Sequence, residues 1–444
     1  MAQFFKPQPK ARPQGRLTLT VSQLDLHGVG IARHQGKAIF VEGALPGEEV
    51  QVSLQDEKKQ FALARLEKVL RPADQRLAPF CPHYSQCGGC TLQHMPVPQQ
   101  QQTKMAGIRE LFARQAQMEL PEPETVIQGE AMGYRRVCRL AVKYDKKARL
   151  ARLGFRRRQS NELVEVSQCP VLAPRLSALI EPLRVLINRL KGFRDLGHIE
   201  LYDTDARPLL LVRHNGQPSE GDRQLLVQFA QQHELDCYLQ TDGEAEPLQA
   251  AQAPAYGVAD VRLNYLPGDF LQVNDRVNQA LVATVLEWLA PTPDDKVLDL
   301  FCGLGNFTLP LARHCAEVVG VEGVPAMVER ARQNARANGI DNARFYCADL
   351  AEDFTGQSWA REGFDLVLLD PARPGAWQTI GHLCRLAPRR IVYVSCNPVT
   401  AARDCAPLQA AGYRAVRWRM LDMFPHTGHV ESILLFERSE QQKG

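Results

Sequence analysis

Lys296-Val297-Leu298-Asp299-Leu300-Phe301-Cys302-Gly303-Leu304-Gly305-Asn306-Phe307 reads as a buried strand that opens through glycines into a helix. Working outward, Val318-Val319-Gly320-Val321-Glu322 predicts a second strand that ends in an acid. Arg344-Phe345-Tyr346-Cys347-Ala348-Asp349 predicts a third, and Phe364-Asp365-Leu366-Val367-Leu368-Leu369-Asp370-Pro371 a fourth. Strands alternating with helices give an α/β class and a doubly wound, Rossmann-like sheet, whose ligands sit at the carboxyl ends of the strands.

Gly303 and Gly305 are not followed by a third glycine at the dinucleotide spacing, so a pyrophosphate cradle has little support. Glu322 is suited to hold two ribose hydroxyls and Asp349 an adenine amine, which leaves the loop at residues 301–306 against an amino-acid moiety. That pattern fits S-adenosylmethionine. An NAD enzyme stays open, because an acid at the second strand end is common to both classes. Taken singly, each acid also reads as a helix cap or a surface charge.

Further on, Val392-Tyr393-Val394-Ser395-Cys396-Asn397-Pro398 leads three β-prone residues into one cysteine, and Asn-Pro then stops the strand and exposes the sulfur. A nucleophile belongs at such a point. Covalent catalysis by such a thiolate splits one hard step into two easier ones. A free thiol titrates near about 8.5, so the reactive form needs electropositive or proton-accepting help. Read alone, Cys396 is equally a small core residue.

The chain has 444 residues, 45% of them hydrophobic, which predicts two or three globular domains. It has no apolar run of about 18 residues and no charged-then-apolar leader, so a soluble, intracellular, cytoplasmic protein without a membrane partner is expected. Twelve cysteines without a secretory signal point to reduced thiols, metal ligands or catalysis rather than disulfides. The net charge of +3 is unevenly distributed: residues 1–24 carry Lys6, Lys10, Arg12 and Arg16 with no acid. From Arg135 to Arg158, eleven Lys or Arg face the single Asp145. Such blocks fit a phosphate backbone, or else a solvated basic surface.

After a basic, Pro-rich arm that reads as disordered, residues 16–70 give five short strands (17–21, 30–33, 38–41, 49–52 and 61–64) with turns at Gly28, Gly36 and Pro46-Gly47. They predict a small oligonucleotide-binding barrel that resembles the TRAM domain of RNA-modifying enzymes. Cys81-Pro82-His83-Tyr84-Ser85-Gln86-Cys87-Gly88-Gly89-Cys90, with Cys169 as a fourth thiol, suggests convergence on a metal ion or cluster, with tetrahedral zinc the main rival. Residues 103–116 predict a helix, and residues 134–155 an arginine-rich sheet segment whose Tyr134, Tyr144 and Phe155 offer faces for stacking bases or are simply core. Residues 172–190 predict an amphipathic helix, and residues 243–254 a polar surface loop.

Phe270-Leu271-Gln272-Val273-Asn274, the run from Asp299 to Phe307, Leu369-Asp370-Pro371-Ala372-Arg373, Ser395-Cys396-Asn397-Pro398 and His426-Thr427-Gly428-His429-Val430-Glu431 together resemble the bacterial RNA uracil-C5 methyltransferases. Having both a barrel and a cysteine set, the chain resembles the branch of that family acting on 23S ribosomal RNA. The resemblance implies Cys396 as nucleophile and Glu431 as general base. It implies Gln272, Phe301, Asn306, Glu322, Asp349 and Asp370 as contacts to S-adenosylmethionine, and Cys81, Cys87, Cys90 and Cys169 as ligands of a [4Fe-4S] cluster. It further implies 23S rRNA as partner, with no protein partner and a monomer. The expected division is an arm and TRAM domain (1–74), a central α+β iron-sulfur and RNA-binding domain (75–268) whose part 93–132 docks on the catalytic domain, and a methyltransferase domain (269–444). A uridine elsewhere in rRNA or tRNA, a non-catalytic RNA-binding iron-sulfur protein, and a cluster-dependent redox or radical enzyme remain as other readings.

Overall fold

The computed structural model describes residues 16–250 and 252–438. Most of the basic arm, with Lys6, Lys10 and Arg12, lies outside them. Strands β1 (Leu17–Leu24), β2 (Gly30–His34), β3 (Lys37–Val41), β4 (Glu49–Glu57) and β5 (Phe61–Arg71) close into a barrel in the order β1-β2-β3-β5-β4. Alternate residues point inward, so Leu19, Val21, Ile39, Val41, Val50 and Val52 fill its interior. Closure leaves no free strand edge.

Helix α1 (Val97–Leu111) follows the cysteine-bearing segment. It starts at Val97 rather than Thr103 because Pro98 falls in the first turn, where its missing N–H costs no hydrogen bond. Its continuation packs against the C-terminal sheet: Ile108, Phe112, Met118 and Leu120 share one buried cluster with Leu298, Leu300, Tyr393 and Trp418.

The middle of the chain builds a seven-stranded sheet ordered β12-β11-β10-β9-β6-β7-β8 from β6 (Val137–Asp145), β7 (Leu150–Arg156), β8 (Leu163–Glu165), β9 (Leu196–Tyr202), β10 (Leu209–His214), β11 (Asp236–Gln240) and β12 (Glu246–Gln249). Helices α2 (Pro174–Ser177), α3 (Ile180–Ile187) and α4 (Glu220–Gln232) accompany it. Leu176, Leu179, Ile180, Leu183 and Ile187 pack with Leu140, Leu153 and Leu201, so the leucine spacing is used by two short helices rather than one. Strand β12 lies within the stretch expected to be a loop; its antiparallel pairing with β11 overrides a polar sequence.

The expectation of a central domain carrying a [4Fe-4S] cluster is corrected. Cys81, Cys87, Cys90 and Cys169 are half-buried free thiols near enough to feel one another's charge. Among the described residues, however, no group of three or more His, Cys, Asp or Glu side chains is arranged to hold a metal ion. The residues present therefore fit neither a cluster nor zinc. Burial pushes the Cys90 thiol up to about 12, which favours its protonated form. The segment takes its shape from hydrogen bonds instead. Tyr84 donates to the Thr91 carbonyl at 2.5 Å, the Cys81 N–H to Gln93 Oε1 at 3.1 Å, the Gly88 N–H to the Arg156 carbonyl at 3.0 Å, and Arg158 to the Cys90 carbonyl at 2.7 Å.

A hairpin of β13 (Ala255–Val258) and β14 (Val261–Asn264) and helix α5 (Asp275–Leu289) lead into the C-terminal sheet. That sheet comprises β15 (Lys296–Leu300), β16 (Glu317–Glu322), β17 (Ala343–Cys347), β18 (Leu366–Leu369), β19 (Arg390–Ser395), β20 (Tyr413–Leu421) and β21 (Glu431–Arg438), in the order β17-β16-β15-β18-β19-β21-β20. Helices α6 (Thr308–Ala312), α7 (Pro325–Ala337), α8 (Trp377–Leu386) and α9 (Pro398–Ala410) provide the crossovers. Five parallel strands reverse order between β15 and β18, the switch point at which such sheets bind ligands.

The three parts meet around residues 422–428. Lys104 of α1 pairs with Asp422 at 3.1 Å, each with 1% of its side chain exposed. The Gln100 side chain accepts from the His426 N–H at 2.9 Å, and the Thr91 and Leu92 N–H groups donate to the His426 carbonyl. From the barrel, His27 Nδ1 donates to the Gly428 carbonyl at 2.8 Å. Gly107 permits the barrel loop to reach α1, since a Cβ there would stand 2.6 Å from a Leu26 methyl. Lys104→Met strands a buried carboxylate, so we expect a loss of about 3–5 kcal/mol in urea unfolding. An unchanged midpoint would show that the pair contributes nothing to stability.

Candidate active site

Strand β19 ends in Ser395, and Asn397 caps α9 by accepting from the Val399 N–H at 3.2 Å, with Pro398 at the first helical position. Cys396 thus occupies the bend between strand and helix and is half-exposed, as a nucleophile requires. Burial pushes its thiol up to about 11, helped by Glu431 and Asp370 and opposed by the Arg373 guanidinium. The resting sulfur is therefore a protonated thiol at neutral pH.

Strand β21 runs antiparallel between β19 and β20, with Ser395 opposite Ser432. One further step of that register sets Glu431 across from Cys396. Burial pushes the Glu431 carboxyl up to about 8, with Asp370 adding to the rise and Arg373 and Lys104 opposing it. Asp370, at the end of β18, is raised to about 7 by burial. Two carboxyls and a thiol share one poorly solvated corner.

The loop after Asp370 is fastened to the Cys396 helix. Asn397 Nδ2 donates to the Arg373 carbonyl at 3.1 Å and Thr400 Oγ1 to the same carbonyl at 3.2 Å. Asp404 accepts from the Ala376 N–H and from the Tyr393 hydroxyl. The Arg373 guanidinium donates to His429 Nδ1 at 2.5 Å. Burial, with Arg373 second, holds His429 down to about 4, so it stays a neutral acceptor at physiological pH.

On the other side of the sheet end, the chain turns sharply after β15. Phe301 has φ 66°, Gly303 55° and Gly305 94°, and the Gly303 N–H donates to Glu322 Oε2 at 3.2 Å. Glu322 also accepts from the Val324 N–H, which fixes both carboxylate oxygens at the end of β16. Beneath the loop, Asp299 is fully buried and accepts from Thr308 through Oδ2, while Oδ1 has no protein partner. Burial lifts Asp299 to about 7. A glycine-lined turn over an orphaned carboxyl oxygen, with a two-oxygen acid beside it, suits a ligand bearing a cation and a diol, and S-adenosylmethionine has both.

The other residues expected to contact the cofactor have protein partners of their own. Asn306 is locked in a reciprocal amide pair with Asn278 at 3.0 Å each way and accepts from the Tyr256 hydroxyl. Gln272 is half-buried, its carbonyl accepting from Arg136. Asp349 is exposed and caps the Ala351 N–H. Beside Cys396 opens a cavity of about 470 Å³ walled by Arg373, Asn397 and Gly428, by His27 and Glu42 of the barrel, by Gly88 and Thr91, and by Gln159. Every part of the fold contributes to it.

Two family models match the chain: tRNA (Uracil-5-)-methyltransferase over residues 255–439 and the TRAM domain over residues 15–66. The 23S rRNA (uracil(1939)-C(5))-methyltransferase RlmD of Aeromonas salmonicida is 60% identical over 99% of this chain and 100% of the relative. The chain belongs to the RlmD family. The RlmD of Tolumonas auensis is 54% identical over 99% of this chain and 100% of its own. Among solved structures, the Pyrococcus abyssi tRNA (uracil-54, C5)-methyltransferase in complex with S-adenosyl-L-homocysteine superposes with a TM-score of 0.73 at 25% identity, covering 94% of this chain and 99% of that one. RlmD membership agrees with the barrel and the methyltransferase sheet, both legible in the sequence.

Sequence reasoning gave no role to Asp299, Arg373, His429 or the Lys104–Asp422 pair. Asp299 had a usable signal, an acid inside an otherwise apolar strand. The pair had none, because its members are 318 positions apart.

Proposed function

We propose that the chain methylates C5 of uridine 1939 of 23S rRNA with S-adenosylmethionine, using Cys396 as nucleophile and Glu431 as base, and that it does so as a monomer in the cytoplasm. The observation that best supports this reading is the β19–β21 register, which brings a thiol and a carboxyl of raised pKa together beside a cavity open to RNA. When bound, S-adenosylmethionine supplies an electrophilic methyl on a sulfonium. Gln272, Phe301, Asn306, Glu322, Asp349 and Asp370 are the proposed contacts that hold it, and Asp299 joins them through its free oxygen.

The Cys396 thiol gives up its proton to solvent, the thiolate adds to C6, and the electron pair moves to C5. The methyl bond to C5 then forms as the methyl–sulfonium bond breaks, leaving S-adenosylhomocysteine, and Glu431 takes the C5 proton. Its pKa near about 8 suits that task, because a base titrating close to the working pH combines availability with driving force. The C6–S bond breaks last and returns Cys396. Arg373, held by His429, offers the positive charge that favours the thiolate.

Purified protein, methyl-labelled S-adenosylmethionine and 23S rRNA lacking the modification test the assignment. One methyl per RNA at C5 of uridine 1939, mapped by mass spectrometry, is expected. Label at another uridine, or only in tRNA, would refute the substrate. No label in either RNA would refute the activity.

A further inference from the structure

Of the four tryptophans, Trp288, Trp359 and Trp418 are buried, whereas Trp377 is 48% exposed. It opens α8, a few residues beyond the Arg373 loop that walls the cavity. Arg403 of α9 stands over it, guanidinium carbon 5.9 Å from the ring centroid, and is braced by donating to the Pro374 carbonyl at 2.8 Å and to Asp404 Oδ1 at 2.8 Å. Val399, 44% exposed, lies one turn before Arg403 on the same face of α9. The next residue toward the N-terminus, Pro398, already lines the cavity. An apolar, cation-backed surface therefore continues from the rim beside Cys396 to Trp377.

We propose that Trp377, backed by Arg403, is a stacking platform for an unpaired nucleotide flanking the target uridine. The inference rests on the methyltransferase reading and adds a specificity-determining contact to it. A flat ring beside fixed guanidinium groups matches a base with its phosphate: the ring takes the π-face, and Arg373 and Arg403 supply the charge complement. A protein surface would find the apolar part small and cationic at its edge. Single-stranded RNA meets both features at once and would be continuous with the uridine proposed to enter the cavity.

Because the other three indoles are buried, quenching of tryptophan fluorescence by substrate RNA reports on Trp377. Quenching that saturates with the RNA is expected in the wild type and absent in Trp377→Ala. That variant should raise KM for RNA about five- to twentyfold with kcat unchanged, and Trp377→Phe should recover most of the loss. A half-exposed first residue of a helix tolerates both changes. Normal methylation with no quenching and an unaltered KM in Trp377→Ala would overturn the platform and leave the function standing. A fall in kcat alone, or no recovery with Phe, would overturn it as well. A wild type that methylates no RNA would instead fail at the underlying reading and take this inference with it.

Discussion

Cys396→Ala is expected to reduce methyl transfer by at least about four orders of magnitude, while binding of S-adenosylmethionine, measured by calorimetry, stays unchanged. The side chain stands at the bend between β19 and α9, and none of the hydrogen bonds that shape that bend uses the sulfur: Ser395, Asn397 and Thr400 supply them. The substitution therefore removes chemistry without unfolding the turn. The cofactor side of the sheet, with Glu322 fixed by two backbone N–H groups, lies outside its reach. Undiminished turnover would exclude Cys396 as the nucleophile.

Glu431→Gln should fail one step later. Addition of the thiolate at C6 and methylation at C5 do not call on Glu431, but elimination does, so the variant should trap RNA on the protein as a band surviving denaturing gels. Turnover should fall by about 10²–10⁴-fold. The base must be ionised, and its pKa is raised to about 8, so wild-type kcat/KM should decline as pH falls through that value. The variant's residual rate should lose that dependence. A variant that turns over normally, or stops without adduct, would move the base elsewhere.

Legibility differed by region for physical reasons. The barrel and the parallel sheet were readable because their strands carry period-two alternation or unbroken apolar runs, patterns that burial itself imposes. Cys396, Glu322 and Asp370 stood out as candidates because each lies at the end of a strand, where ligands gather. Strand β12 was not, since a polar edge strand owes its form to its neighbour. The helix at residues 172–190 was overextended because its leucine spacing continues across a break at Ala178 and Leu179. Cysteine spacing misled most: four thiols close in space do not by that fact converge on a metal. The partners of the turn before Glu431 were invisible, as no local pattern encodes a contact between Gln100 and His426.

That turn carries a consequence for how the protein comes into being on the ribosome. Its bonds run to His27, Thr91 and Gln100, so a nascent chain holds the early halves of these contacts long before their partners emerge. The strand bearing Glu431 is made after all three of these partners. Closing such long loops costs little extra free energy but slows folding. Residues 255–439 in isolation would therefore lack the struts that hold the turn before Glu431.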